Sequence, residues 1–156
     1  SAVLLKPRSR GTVDLASADP LAPPVISPAL LRDEADVAAM VAGVRFLRQV
    51  LEKGPLGRRV ARIVAPADGE LDDESLKRHC RRFVKTNYHP AGTARMGPDG
   101  DRDAVLDGAM RVRGVEGLRV ADMSAAPDIV AGNTGAPAMM LGDRCAALIL
   151  GGTRRS

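Results

Sequence analysis

Residues 88–97 of the chain read YHPAGTARMG and predict a short, glycine-rich loop around His89. Pro90 favours an extended conformation at His89, because the proline ring collides with a helical residue before it. An imidazole that changes charge near neutral pH, held on a stiff loop, is a candidate general base. The residues alone leave a structural role for His89 open. The second histidine, His79, lies in a basic helical run and is interpreted as structural or merely exposed.

Sequence patterns typical of several other chemistries are absent. The chain has no G-x-S-x-G turn for a serine hydrolase and no G-x-x-x-x-G-K-[ST] phosphate loop. Cys80 and Cys145 have no zinc-binding spacing to the histidines, so no metal site is predicted. No G-x-G occurs either, and the sequence therefore lacks the glycine turn that binds the pyrophosphate of a dinucleotide.

The composition is that of a globular protein. The 156 residues carry a net charge of +4, and 45% of them are apolar, which is too apolar for a disordered chain. No apolar run approaches the roughly 18 residues that cross a bilayer, so no integral membrane segment is expected. The chain has two cysteines and no signal peptide, which predicts a cytoplasmic location. Its high alanine, arginine and glycine content predicts a bacterial source.

Two helices are predicted before the loop. Apolar residues at spacings of three and four predict a helix over residues 33–53, with Asp33 as its N-cap and Gly54 after its end. A second helix is predicted over residues 72–85, with acidic residues at its start and basic residues after them. Its basic run, residues 77–82, is interpreted as a solvated face; the alternative is a nucleic-acid patch. No nucleic-acid partner is expected, because no aromatic side chains accompany this run.

Short strands and one more helix complete the predicted elements. The predicted strands are residues 3–5 paired with 12–15 as a hairpin, 25–26 as an extended stretch, 110–112 and 118–120. A last helix is predicted over residues 136–150, with Pro137 in its first turn, where a missing N–H costs nothing.

The loop and the segments on either side of it resemble one family in several places. Residues 88–97 are similar to the H-P-x-G-T-C-x-M-G motif of the glucose–methanol–choline (GMC) oxidoreductases. Residues 117–127 (GLRVADMSAAP) resemble the family's G-L-x-V-x-D-x-S-x-x-P, and residues 132–137 (GNTGAP) its G-N-T-N-A-P. The opening KPRSRGTV at 6–13, with SADP at 17–20, resembles the start of the family's C-terminal region. The motifs stand in the family's order and span nearly the whole chain.

The resemblance implies an α+β fold that is the C-terminal part of a GMC enzyme. It implies that residues 1–100 belong to the substrate-binding domain, a sheet with helices behind it. Residues 101–156 would return into the FAD-binding domain as a strand and a closing helix. The partner implied is the N-terminal FAD-binding portion of the same enzyme. We expect the isolated chain to be inactive, and we expect its uncovered apolar faces to favour self-association.

The resemblance also implies an activity and a set of site residues. Family members use FAD to oxidise alcohols, as choline and alcohol oxidases or dehydrogenases do. By the resemblance, His89 is the general base that takes the hydroxyl proton of a primary alcohol, and Asn133 orients the alcohol. The cofactor-binding residues it implies are Asp122, Met123, Asn133, Thr134, Ala136 and Pro137. A simple helix N-cap is the alternative reading of Asn133.

The sequence departs from the family pattern at two positions, and two other functions stay open. Ala94 stands where the motif usually has cysteine, and Gly135 stands where asparagine is usual. Both bear on the shape of the substrate pocket rather than on the chemistry. The alternative functions are a non-catalytic binding module that uses its basic helix on an acidic partner, and a GMC relative with lyase or decarboxylase chemistry.

Overall fold

The computed structural model describes residues 1–151. The chain divides into two compact units, one from Ser1 to Asn87 and one that begins at Tyr88. Each unit is described here by itself. The assignment of residues 1–100 to a substrate-binding domain and of 101–156 to an FAD-binding domain stays a prediction.

The first unit contains a two-stranded antiparallel sheet. Strand β1 (Thr12–Asp14) pairs with β2 (Val25–Ser27), and Val13 lies opposite Ile26. The hairpin predicted between residues 3–5 and 12–15 is wrong, because residues 3–5 are irregular and β2 takes their place. Gly11 brings the chain into β1 so close to β2 that a Cβ atom there would lie 2.2 Å from the Ser27 carbonyl oxygen.

The segment before β1 is held by a buried carboxylate. Asp36 is 3% exposed, and it accepts hydrogen bonds from the Arg8 amide at 2.8 Å, the Ser9 amide at 2.7 Å and the Ser9 hydroxyl at 2.5 Å. This clamp fixes the direction of the chain at residues 8–9. Residues 3–5 are therefore not free to fold back on β1, which is the physical reason for the failed hairpin prediction.

Both helices predicted in this unit are present. Helix α1 (Glu34–Lys53) begins after Asp33, whose side chain accepts the Ala35 amide at 2.8 Å. A short 3₁₀ helix, Pro55–Arg59, follows it. Helix α2 (Asp73–Phe83) begins after Asp72, which accepts the Ser75 amide at 2.9 Å. It ends two residues earlier than the predicted Lys85.

The core of the first unit lies between α1 and α2. Its buried members are Leu31, Val37, Val41, Leu76 and Cys80. Two ion pairs tie the helices together at their edges, Arg81 to Glu34 and Arg45 to Asp73, each at 2.5 Å. In the basic run of α2, Arg81 is thus paired with Glu34 and Lys77 with Glu74, as in a solvated helix face.

The second unit is built from loops packed on one helix. Helix α3 (Gly135–Ile149) matches the predicted last helix to within one residue at each end. The strands predicted at 110–112 and 118–120 are reduced to isolated bridges, Leu106 with Val112 and Arg111 with Arg119. Met110 has a φ of 61°, a left-handed conformation that interrupts an extended strand at its first residue.

The core of this unit consists of small and flexible apolar residues, namely Met110, Met123, Ala126, Leu141 and Cys145. Across residues 1–151, no helix combines the length and the apolar character needed to cross a membrane.

Candidate active site

The loop that carries His89 is fastened to the rest of its unit through main-chain atoms. The amides of Gly92, Ala94 and Met96 donate at 2.9–3.0 Å to the carbonyls of residues 123–125. These alternate amides pair with successive carbonyls, so the loop backbone follows residues 123–125 closely. Gly92 adopts a φ of +82°, and a Cβ atom there would lie 3.3 Å from the Ala126 carbonyl oxygen. The backbone around His89 is therefore well defined by its surroundings.

Tyr88, directly before His89, is held in an unusual conformation. Its φ is 63°, in the left-handed region that bulky residues rarely adopt. Non-glycine residues held there by their surroundings are concentrated at functional sites. The strained backbone at Tyr88 sets the direction from which the His89 side chain leaves the chain.

The imidazole of His89 is joined to the start of α3. Its Nδ1 lies 2.9 Å from the Thr134 hydroxyl, which is 45 residues away in sequence. The Thr134 amide also points at Nδ1, at the longer distance of 3.4 Å. Within residues 1–151, Nε2 has no hydrogen-bond partner. The ring is half-buried and anchored at one nitrogen.

Asn133 is exposed and directly precedes Thr134 in the chain. Thr134, not Asn133, occupies the N-cap position of α3, so the N-cap interpretation of Asn133 is wrong. The Thr134 side chain makes no capping hydrogen bond, because its hydroxyl is directed to His89. The carboxamide of Asn133 has a donor and an acceptor, and neither is used to cap the helix.

The predicted cofactor residues Asp122 and Met123 lie at different depths. Asp122 is exposed and begins a 3₁₀ turn (Met123–Ala125), where Oδ1 accepts the Ser124 hydroxyl at 2.5 Å and the Ser124 amide at 2.7 Å. These hydrogen bonds outweigh partial desolvation and hold the pKa of Asp122 below its ordinary value. Met123 is buried among the residues of the core. Its side chain thus supports the turn from beneath, and Asp122 presents a carboxylate to the surface.

The first turn of α3 is exposed and open. Gly135 and Ala136 lie at the surface, and Pro137 is half-buried. A Cβ atom placed on Gly135 would meet nothing within 4 Å. Amides at the start of a helix lack intrahelical acceptors and form the positive end of its dipole. Such a surface favours groups that carry hydrogen-bond acceptors or negative charge.

Other parts of the second unit do not offer a competing centre. A surface recess lined by Asp107 and residues 111–119 contains none of the predicted site residues. Among the residues that the structure describes, no three His, Cys, Asp or Glu side chains are grouped so that they could hold a metal ion. The site residues that the structure brings together are His89 and Thr134, with Asn133 adjoining them in the chain.

The pairing of His89 with Thr134 is the feature that sequence reasoning missed. Thr134 was predicted only as a cofactor residue, from its place in the 132–137 motif. No spacing rule connects two side chains on separate loops, so the sequence carries no local signal of this contact.

Comparisons with known proteins agree with these observations. A family model described as GMC oxidoreductase matches residues 7–142. A GMC-type oxidoreductase of Mycobacterium tuberculosis is 44% identical over 94% of this chain and 28% of its own length. Choline oxidase of Arthrobacter globiformis is 41% identical over 91% of this chain and 26% of its own. Both relatives are bacterial, as the composition predicts for this chain.

The structural comparison gives the same result. A formate oxidase variant from Aspergillus oryzae, solved in work on its FAD modification, has a TM-score of 0.86 and 33% identity, with 95% of this chain and 26% of that one covered. The matched part has the α+β architecture predicted for the C-terminal part of the fold. The chain thus spans about a quarter of the length of the relatives it matches.

Proposed function

Because this chain belongs to the GMC oxidoreductase family, we propose that it is the C-terminal part of a FAD-dependent enzyme that oxidises a primary alcohol, of the choline type, to an aldehyde. The observation that carries the proposal is the His89 imidazole, anchored through Nδ1 to Thr134 at the start of α3, directly after Asn133 in the chain. In this proposal, residues 1–100 belong to the substrate-binding domain and residues 101–156 to the FAD-binding domain.

The residues present fit one side of FAD. The open first turn of α3, at Gly135 and Ala136, offers amides to the polar edge of a flavin ring. The ionised carboxylate of Asp122 has an oxygen that can accept hydrogen bonds from hydroxyl groups of the ribityl chain. The pyrophosphate cradle has no counterpart here, since the sequence has no G-x-G. We therefore assign the cradle to the N-terminal portion of the same enzyme.

The chain's own residues account for the polar part of the reaction. His89 accepts the hydroxyl proton of the alcohol at Nε2, as an imidazole does near neutral pH. Asn133 donates a hydrogen bond from its amide to the alcohol oxygen and so stabilises the negative charge that develops there. When bound, FAD supplies the acceptor for the hydride that leaves the alcohol carbon.

Exposed apolar residues near the two ends of α3 support the proposal that more protein covers this helix. Met139 is 72% exposed, Met140 61%, Ile149 62% and Leu150, which follows the helix, 83%. Leu148 packs against the core of this unit. Large apolar side chains that are exposed in this way are commonly covered by a partner. In the proposal, the N-terminal portion covers them, and in the isolated chain self-association does.

The proposed function is tested by comparing this chain with the longer enzyme of which we propose it is a part. Both are purified, mixed with FAD and passed over a gel-filtration column, and flavin absorbance and apparent mass are recorded. We expect the longer enzyme to retain flavin that bleaches anaerobically with a primary alcohol, and this chain to retain none. A monomer of this chain with stoichiometric flavin would contradict the proposal, as would a flavin that no primary alcohol bleaches.

Asn133 is expected to orient the alcohol without exchanging protons. In the complete enzyme, Asn133→Ala should slow flavin reduction by about 10²-fold, the effect of losing one donor to a developing oxyanion. The acidic limb of the pH–rate profile should stay in place, because a carboxamide does not titrate. Asn87→Ala, a change at an exposed residue, is the matched control. If the acidic limb disappeared with Asn133 and survived the loss of His89, the two roles would be exchanged.

A further inference from the structure

We propose that Arg111 and Arg119 bind a phosphate group in the recess that Asp107 and residues 111–119 line. This recess has a volume of about 470 Å³ and lies in the second unit. It contains none of the residues assigned to the alcohol or to FAD, so it is a separate site and does not depend on the proposed function. The ligand class is a small molecule with a free phosphate group.

The two arginines lie directly opposite each other. Residues 111 and 119 form an antiparallel bridge, and main-chain hydrogen bonds of 3.0 and 3.2 Å flank it on both sides. Arg111 and Arg119 are therefore a pair without hydrogen bonds between their own main chains, the kind in which opposite side chains come closest. Like charges at directly opposite positions are destabilising. An anion bound between the two guanidinium groups removes that repulsion.

Each guanidinium group is anchored through Nε. The Nε of Arg119 donates to the Ala109 carbonyl at 3.2 Å, and the Nε of Arg111 donates to the Asp107 carboxylate at 2.7 Å. Within residues 1–151, no Nη atom of either arginine has a hydrogen-bond partner. The Arg111 side chain is 63% exposed, so a ligand can reach it from solution. A guanidinium group binds two oxygens of one phosphate, and anchoring reduces the side-chain freedom lost on binding.

The balance of charge around the recess is positive. A third arginine, Arg113, also lines it, but its guanidinium group is used on main-chain carbonyls and one exposed carboxylate. Two carboxylates, Asp107 and Glu116, line the recess as well. Asp107 accepts two main-chain amides at Oδ1 and Arg111 at Oδ2, so its charge balances that arginine. Arg119 has no carboxylate partner within residues 1–151, and its charge is the one that a ligand would balance.

Two glycines leave room beside the arginines. Gly114 and Gly117 have φ angles of 77° and 73°, in the left-handed region that glycine adopts without strain. A Cβ atom at either position would meet nothing within 4 Å. A phosphate group has three acceptor oxygens that point in different directions, whereas a carboxylate has two oxygens in one plane. Two guanidinium groups that approach from opposite strands therefore fit phosphate better than carboxylate.

The test is isothermal titration calorimetry of the complete enzyme, purified with its flavin, against inorganic phosphate at constant ionic strength. Wild type is expected to bind phosphate, and Arg119→Gln should bind it about tenfold more weakly or not at all, since hydrogen bonds between charged groups are the strong ones. Arg102→Gln removes the same charge from an exposed position outside the recess and is the matched control. It should leave phosphate binding unchanged. Circular dichroism shows whether the variants are folded.

A second variant should have the opposite effect. Glu116→Gln removes a negative charge from the edge of the recess and leaves both arginines in place. We expect it to tighten phosphate binding by about twofold, because it removes a repulsion across a solvent-exposed distance. Weaker binding in Glu116→Gln would contradict the placement of the phosphate.

No phosphate binding by wild type would overturn the proposal, whether or not any variant folds. Equal losses in Arg119→Gln and Arg102→Gln would also overturn it, because they would indicate a general effect of charge. Loss of flavin from folded Arg119→Gln would assign the recess to the phosphates of the cofactor and contradict a separate site. The titration contains no alcohol, so failure of the proposed alcohol chemistry would leave this result intact.

Discussion

The His89→Ala variant of the complete enzyme is expected to reduce its flavin about 10²–10⁴-fold more slowly than wild type, which is the usual contribution of a general base. The side chain is held at Nδ1 by Thr134, and Nε2 has no partner within residues 1–151. Alanine removes the proposed acceptor of the hydroxyl proton and leaves the loop backbone in place, because that backbone is held by main-chain hydrogen bonds. Stopped-flow absorbance of the flavin under anaerobic conditions measures the effect.

The matched control is the other histidine. His79 packs against the ring of Phe83 with their centroids 4.8 Å apart, in the first unit, so His79→Ala should change flavin reduction little. Added imidazole should restore part of the rate of His89→Ala, since it supplies a base to the vacated space. Reduction by His89→Ala at close to the wild-type rate would refute the role of His89 as the base.

The second large effect concerns stability. Asp36→Asn should lower the free energy of unfolding by about 3 kcal/mol, because hydrogen bonds to a buried charged group are worth about 1.5–3 kcal/mol and the change also leaves donors unpaired. Asparagine keeps one acceptor oxygen, and its NH₂ group would face the amides of Arg8 and Ser9. Urea unfolding followed by circular dichroism measures the difference. Asp14→Asn, at an exposed position of β1, is the control.

The stabilisation by Asp36 should depend on pH. Burial opposes its ionisation, but hydrogen bonds from the Arg8 amide and from Ser9 outweigh burial and hold the pKa of Asp36 below its ordinary value. A carboxyl with a lowered pKa in the folded state stabilises the protein above its unfolded pKa of about 3.9. That contribution is lost as the pH falls further. Wild type and Asp36→Asn should therefore converge below pH 4, and a constant difference from pH 7 to pH 3 would contradict this account.

The helices were predictable because their signals are local. Asp33 and Asp72 cap α1 and α2 through bonds to residues two and three positions on. The hairpin between residues 3–5 and 12–15 was mispredicted because a distant contact, from Asp36 to residues 8–9, directs residues 3–5 away from β1. Strand β2 pairs with β1 instead. A pattern of alternating residues contains no information about such a clamp.

The candidate site was predictable to the extent that a motif marks it. His89 stands out in the sequence because it directly precedes a proline at the start of a glycine-containing loop. Its contact with Thr134 joins two loops that meet only in the folded unit. The N-cap interpretation of Asn133 failed because helix α3 begins one residue later than that interpretation requires, at a threonine whose side chain serves another residue.

The attachment of the His89 loop to residues 123–125 has a consequence for protein engineering. Only main-chain atoms form these hydrogen bonds, so the identity of the side chains between them is not required for the loop to stay in place. Position 94, where this chain has alanine and the family motif has cysteine, accommodates different side chains. Thr93 and Ala94 are therefore suitable positions for a mutant library that varies side chains and leaves the backbone placement of the loop intact.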